Sequence, residues 1–472
     1  MEEEEKVSKR QLILVGIAVL LTGILLIVKP TYSVFQVNKT INIMDAKVGN
    51  FGNKVLFVKS FGGSKNDQFI HAELATDGGY VAIGFSASSD GDLGLNKGIT
   101  DAIIVKYDDD GNVVWNKSFG GSGYDNFAGI TQTFDDGYVV VGRSNSSDGN
   151  LTGLFKGGVG TTYDAIIVKY DSNGNILWNK NYGGTWEDDF NSVASTLDGG
   201  YIAVGTSEST DGDLIGLNKG GGFPRDAIIV KYDGGGNVMW NKNFGGSNAD
   251  YFYSVQVTSD GGYIAVGRSD STDGDLAGSN LGGPGAIIVK YDSSGNVVWN
   301  KSFGGNNSTM FYNVVATSVG EYITVGTSNS TDGDLTGLNK GNYDAIIVKY
   351  DVSGNVIWNK NFGGSNPDYF RAVQGTSDGG YVAVGTSNST DGDLTDLNKG
   401  SIDATIVKYS SSGNVIWNKN FGGSGNDNFY FVRTTPDGWY IIGGEFSSTN
   451  GDFAGLSKGG GNDAFIVKGK FN

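Results

Sequence analysis

Seven copies of one phrase run through this chain, and that fixed period constrains the fold more than any single residue. The phrase Val-Val-Trp-Asn-Lys-Ser-Phe-Gly-Gly at Val113–Gly121 returns, lightly edited, as far as Val415–Gly423. Its aromatic anchor falls at Phe57, Trp115, Trp178, Trp240, Trp299, Trp358 and Trp417. Successive anchors lie 58, 63, 62, 59, 59 and 59 residues apart. A period of that size belongs to solenoids, propellers and arrays.

The unit from Phe252 to Phe303 shows what one period holds. Phe252–Thr258 leads through Asp260-Gly261-Gly262 to Tyr263-Ile-Ala-Val-Gly267. A long polar stretch, Ser269–Gly285, follows. Ala286-Ile-Ile-Val-Lys-Tyr291, the turn Asp292–Asn296 and Val297–Phe303 complete it. The apolar runs are short, rich in β-branched and aromatic residues, and bounded by Gly, Asn, Asp and Ser, which are strand and turn signals. No helical spacing persists over several turns. Each unit therefore reads as four strands, a to d, with tight a–b and c–d turns and a long b–c loop. Repeated around an axis, such a sheet is a propeller blade.

The two ends of the array favour closure. Val55–Phe61 is a lone strand d. The last unit has a (Phe429–Thr435), b (Tyr440–Phe446) and c (Asp463–Lys468) but no d. The expected fold is all-β: a seven-bladed propeller of four-stranded antiparallel blades, closed by residues 55–61 as the outer strand of the last blade. Closure removes the exposed edges that an open array must cap. The a–b and c–d turns then share one face, and the b–c loops and d–a crossings share the other.

The expected organisation is a cytoplasmic tail (1–10), a transmembrane signal anchor (11–29), a stalk (30–53) and the propeller (54–472). Leu12–Val28 is an apolar run at the short end of spanning length. Lys6, Lys9 and Arg10 precede it, which puts the amino terminus in the cytoplasm and the propeller outside the cell. A cleaved signal peptide is the rival reading. The stalk is expected to meet the short-turn face.

Composition excludes some chemistry. The chain has no Cys, so it has neither disulfides nor thiolate catalysis, and its one His removes most acid–base and metal chemistry. A net charge of −17 argues against nucleic acid. His71 stands where other copies of strand a have Gly129, Ser192, Ser254, Asn313, Ala372 and Phe431, which reads as a tolerant position. Asn-x-Ser/Thr sequons at Asn38, Asn145, Asn150, Asn307, Asn329, Asn388, Asn116 and Asn300 are candidate glycosylation sites.

A second refrain occupies the b–c loop, as Asp-Gly-Asp-Leu or a close variant. Its acidic residues are Asp90, Asp92, Asp148, Asp211, Asp213, Asp273, Asp275, Asp332, Asp334, Asp391, Asp393 and Asp452. Carboxylates flanking a Gly are hard oxygen ligands, so these are the candidate Ca²⁺ positions. The competing reading is a turn whose Leu plugs into the blade; the full ligand spacing and terminal Glu of an EF-hand loop are absent. The d–a crossing adds Gly-Gly-Ser-x-x-Asp on the same face, as at Gly62–Asp67. On the c–d turn, Asp-x-x-Gly-Asn-x-x-Trp, as at Asp171–Trp178, should be structural: the Asp accepts backbone N–H groups and the Trp packs between blades.

Taken together, Asp-Gly-Gly-Tyr-Ile-Ala-Val-Gly, Asp-Gly-Asp-Leu and Asp-Ala-Ile-Ile-Val-Lys-Tyr-Asp-x-x-Gly-Asn-Val-x-Trp resemble the repeat β-propellers of bacterial and archaeal cell-surface proteins. The resemblance covers nearly all of Lys54–Lys468. The Gly-Asn-x-x-Trp turn is also similar to the tryptophan-docking repeat of quinoprotein dehydrogenases and, more loosely, to the Asp-box of sialidases. The expected function is a membrane-anchored surface module for binding, adhesion or structure, with a protein, a glycan or another copy as partner on the long-loop face. A cell-envelope lattice or filament subunit is one alternative. A propeller enzyme, glycosidase or quinoprotein-like oxidoreductase, is another. No catalytic residue is assigned. The residues that break the repeat, Trp186, Glu187, Arg225, Arg268, Arg371 and Glu445, form no set that the sequence alone can recognise.

Overall fold

A computed structural model describes residues 54–94, 96–157, 162–219, 225–278 and 283–471. They form seven four-stranded antiparallel sheets. Blade 1 comprises strands a (Asp67–Leu74), b (Tyr80–Ser86), c (Asp101–Tyr107) and d (Val113–Phe119). Five more blades repeat that order. Blade 7 takes a (Asp427–Thr434), b (Tyr440–Phe446) and c (Asp463–Lys470) from the end of the chain and d (Lys54–Phe61) from its beginning. The closing strands run antiparallel, with Lys59 opposite Ile466, Phe61 opposite Ala464 and a bulge between Val55 and Phe57. Blade-to-blade packing runs through the a strands, and strand a of blade 7 meets strand a of blade 1. The ring is closed as expected.

Several boundaries shift by one or two residues, as where strand a of blade 7 opens at Asp427 rather than Phe429. Strand a of blade 4 opens at Asp250 rather than Phe252, because the Asp250 N–H donates to Arg225 O across the blade junction (2.7 Å). The last strand c runs on to Lys470, since Lys54 and Val55 extend the ladder to it. The proposed tail, anchor and stalk fall outside the described residues. Among the described residues, no helix is long and apolar enough to cross a membrane.

Strands b and c are buried along almost their whole length because a neighbouring blade covers each face. This is why they read Ile-Ala-Val and Ala-Ile-Ile-Val rather than alternating. Strand d is exposed at its first two residues and buried only at its last. The anchor Trp of each blade fastens it to the next. Trp115 Nε1 donates to Ser172 O (3.1 Å), and the Trp115 ring lies where a Cβ on Gly174 would sit, 2.9 Å away. Gly174 also has φ +76, so both space and backbone require glycine there. Within the turn, Asp171 Oδ1 accepts the N–H groups of Asn173 and Asn175. The Asp-Gly-Gly turn has an electrostatic role as well. Lys231 on strand c is 3% exposed and pairs with Asp198 at 2.9 Å.

Candidate functional site at the channel mouth

The seven a strands surround a central channel of ≈ 520 Å³. Each strand a leaves the d–a crossing, so its first residues line the long-loop mouth and its last residues the short-turn mouth. Between the mouths the walls mix apolar side chains such as Ile130, Val193 and Val373 with neutral hydrogen-bonding ones, among them Asn191, Ser254, Asn313, Gln256 and Gln374.

The long-loop mouth is where the blades stop resembling one another. On the side of blades 4 to 6, Tyr251 stacks on Tyr253 (centroids 5.9 Å apart), and Tyr253 meets Tyr312 at 5.7 Å. Tyr343 stacks on Tyr369 at 6.1 Å. The Arg371 guanidinium lies over the rings of Tyr312 (4.5 Å) and Tyr369 (5.2 Å). Blade 7 continues the arc: Tyr430 donates its hydroxyl to Glu445 (2.7 Å), which also accepts from Asn428 and Asn462. Burial, Glu445 and the hydrogen bond to it push the Tyr430 hydroxyl well up. On the side of blades 2 and 3, Arg225 bridges Glu187 and Glu208, while Arg143 reaches Asp189 (3.4 Å) and covers the Tyr163 ring. Burial pushes the Asp189 carboxyl up despite those arginines.

The residues that break the repeat therefore do form a set. Arg371 lines the channel, and Glu187, Arg225, Arg268 and Glu445 stand on the long-loop side of blades 3, 4 and 7. Trp186 sits beside them on the d–a crossing of blade 3, its N–H donated to Ser209. The sequence hid this grouping because the members recur at no fixed spacing. Comparing blades for recurrence also discards whatever is unique to one blade.

His71 lies toward the short-turn mouth. Its Nε2 is 3.1 Å from Arg433 Nη2, and Arg433 also reaches Glu73 at 3.3 Å. A guanidinium only donates, so Nε2 accepts and the proton sits on Nδ1. Burial and then Arg433 hold His71 well below the usual imidazole range, so it is neutral. The position is a channel wall rather than merely a tolerant one.

The Asp-Gly-Asp-Leu loops stand on the same face, outside the mouth. The first acidic residue accepts the N–H of the crossing residue: Asp90 from Ser64, Asp148 from Ser122, Asp211 from Thr185, Asp273 from Ser247, Asp332 from Asn306 and Asp391 from Ser365, all at 2.7–2.8 Å. The second accepts a glycine N–H: Asp92 from Gly62, Asp213 from Gly183, Asp275 from Gly245, Asp334 from Gly304, Asp393 from Gly363 and Asp452 from Gly422, at 2.9–3.0 Å. A lysine from the preceding blade's loop adds an ion pair to most of these, as Lys458 does to Asp92 (2.6 Å). The Leu is a buried plug at Leu151, Leu214, Leu276, Leu335 and Leu394. Among the described residues, no group of three or more His, Cys, Asp or Glu side chains is placed to hold a metal ion.

No family model matches the chain. The regulatory protein FlaEY of Caulobacter vibrioides is 25% identical over 202 residues, 41% of this chain and 21% of its own length. An uncharacterized WD repeat-containing protein of Acanthamoeba polyphaga mimivirus is 24% identical over 238 residues, 41% of this chain and 17% of its own. The match thus spans about a fifth of the length of these curated relatives. Among solved structures, BamB from Moraxella catarrhalis aligns with TM-score 0.38 and 13% identity, over 88% of this chain and 100% of that one. Sqt1 from Chaetomium thermophilum aligns with TM-score 0.42 and 10% identity, over 89% and 99%. None of these likenesses assigns a role to the chain.

Proposed function

We propose that this protein is a binding module, held at the outside of a membrane by Leu12–Val28, which takes its partner at the long-loop mouth of the propeller channel. The observation that carries this reading is the arc of Tyr251, Tyr253, Tyr312, Tyr343, Tyr369 and Arg371. It is confined to blades 4 to 6 of an otherwise repetitive ring. Tyrosine and arginine dominate recognition surfaces because they offer large, rigid area with polar tips. The acids around the mouth favour binding over catalysis. Asp189, Glu187, Glu208 and Asp270 are each held by an arginine, and Glu445 by three neutral donors.

The test is saturable binding of the purified protein to intact cells and isolated envelope fractions, read by flow cytometry and biolayer interferometry. Wild type should bind, and Tyr312→Ala/Tyr369→Ala should lose most of that binding while keeping the wild-type melting curve. Undiminished binding by the folded double variant would place the partner elsewhere and sink the proposal.

A further inference from the structure

The five described arginines do not share one environment. Arg143 pairs with Asp189, Arg225 with Glu187 and Glu208, Arg268 with Asp270, and Arg433 with Glu73. Arg371 has no carboxylate partner among the described residues, in a chain with 51 acidic residues. Its face lies over two tyrosine rings, its Nε is buried and donates to no protein acceptor, and its side chain lines the channel. A buried donor left unmade is costly, and a guanidinium whose face is taken by rings keeps its in-plane N–H groups for a partner.

We infer that Arg371 anchors the carboxylate of an acidic saccharide, whose sugar rings pack on the tyrosine arc and whose hydroxyls meet the channel amides. This rests on the binding reading above and names the ligand class of that same site. A planar carboxylate matches the guanidinium fork edge to edge. The neutral wall selects between ligands. Asn191, Asn313, Ser192 and Ser254 already bond from blade to blade, while Gln256 and Gln374, further along the channel, keep paired donors and acceptors. A polyhydroxylated ring can use both kinds at once. An acidic peptide would satisfy Arg371 and leave those two amides unused. The half-buried tyrosines supply the flat surfaces on which the C–H faces of pyranose rings pack.

Calorimetric titration of the purified full chain with oligomers of a hexuronic acid tests this, alongside the neutral hexose oligomer of equal length, its sulfated form and a poly-glutamate peptide. The hexuronate should bind, the neutral oligomer roughly tenfold or more weakly, and Arg371→Gln should reduce hexuronate binding by a similar factor. Arg371→Lys should restore little of it, because a point charge does not reproduce the fork. Equal binding of acidic and neutral oligomers, preference for the sulfated sugar or the peptide, or an unaffected Arg371→Gln would each overturn the inference. If cell-surface binding depends on Tyr312 and Tyr369 while no hexuronate binds, the ligand class falls and the binding module stands. If neither holds, both fall.

Discussion

Phe471 packs against Trp417, ring centroids 6.2 Å apart, in the place that a c–d turn glycine fills at the other six junctions. The anchors of those six meet Gly111, Gly174, Gly236, Gly295, Gly354 and Gly413. The seventh c–d connection does not exist, because the two strands come from opposite ends of the chain. Phe471, stacked on Tyr440 at 5.8 Å, closes the gap. Phe471→Ala should therefore destabilise the propeller by about 3–5 kcal/mol, as for a large aromatic core truncation. The check is urea unfolding, with the midpoint lowered and the slope unchanged. A midpoint equal to wild type would remove Phe471 from the closure.

The mirror experiment is at Gly174. Alanine there must adopt φ near +76 and place its Cβ 2.9 Å from the Trp115 ring. Strain and clash together should lower stability by roughly 1–3 kcal/mol. Gly199→Ala is the control: it shares a positive φ (+81) but meets nothing within 4 Å. It should lose less, about 1 kcal/mol. The difference in melting temperature between the two variants isolates the tryptophan contact.

Strand order, closure and the tryptophan latch were legible because they recur. Trp115 and Trp178 obey one rule, so one copy teaches the next. The channel mouth obeys the opposite logic. Tyr253, Tyr312, Arg371 and Tyr430 occupy the same register of strand a in four blades and converge only once the ring closes. In the sequence they stand about one period apart, among residues chosen for sameness. The acidic refrain was legible as a turn with a leucine plug, but the backbone partners of its carboxylates were not. Asp273 looks like a free ligand in the sequence, whereas in the fold the Ser247 backbone N–H holds its carboxyl below the usual range.

Those loops make a direct prediction about metal. With the carboxylates of Asp-Gly-Asp engaged by N–H groups and lysines, the propeller should melt at the same temperature in excess chelator and in millimolar Ca²⁺ at fixed ionic strength. Asp273→Asn should lower the melting temperature equally in both. Stabilisation specific to Ca²⁺ and lost in Asp273→Asn would show that these residues ligate the ion after all.

The blade junctions give the last prediction, a pH dependence. At six of the seven junctions, a buried Asp opening strand c faces a buried Asp opening the next strand a: Asp101 and Asp125, Asp164 and Asp188, Asp226 and Asp250, Asp344 and Asp368, Asp403 and Asp427, Asp463 and Asp67. The seventh junction has Gly285 and Thr309, so both acids are absent together. In the Asp403 pair, the point where a Gly422 Cβ would sit is 2.3 Å from Asp403 Oδ1 and 3.0 Å from Asp427 Oδ2. Asp403 Oδ1 is buried without a donor. Burial first, reinforced by the neighbouring carboxylate, raises Asp188 to about 7 and Asp250, Asp368 and Asp403 to about 6. Groups that hold a proton more tightly folded than unfolded contribute stability that is fully present below about 4, and it fades as pH rises through 6 to 7. Asp198 and Asp260 work the other way. Burial opposes them, but hydrogen bonds from a threonine and the buried lysine hold both at about 2, so their contribution disappears only as pH falls toward that value. The melting temperature should therefore peak at about pH 4–5 and fall by several degrees toward pH 8. Asp403→Asn replaces the protonated carboxyl with an amide that can donate to Asp427, so it should make the alkaline limb shallower by that junction's share without lowering the value at pH 5. A melting temperature that climbs from pH 5 to 8 would mean the junction carboxylates are ionised and paired with cations instead.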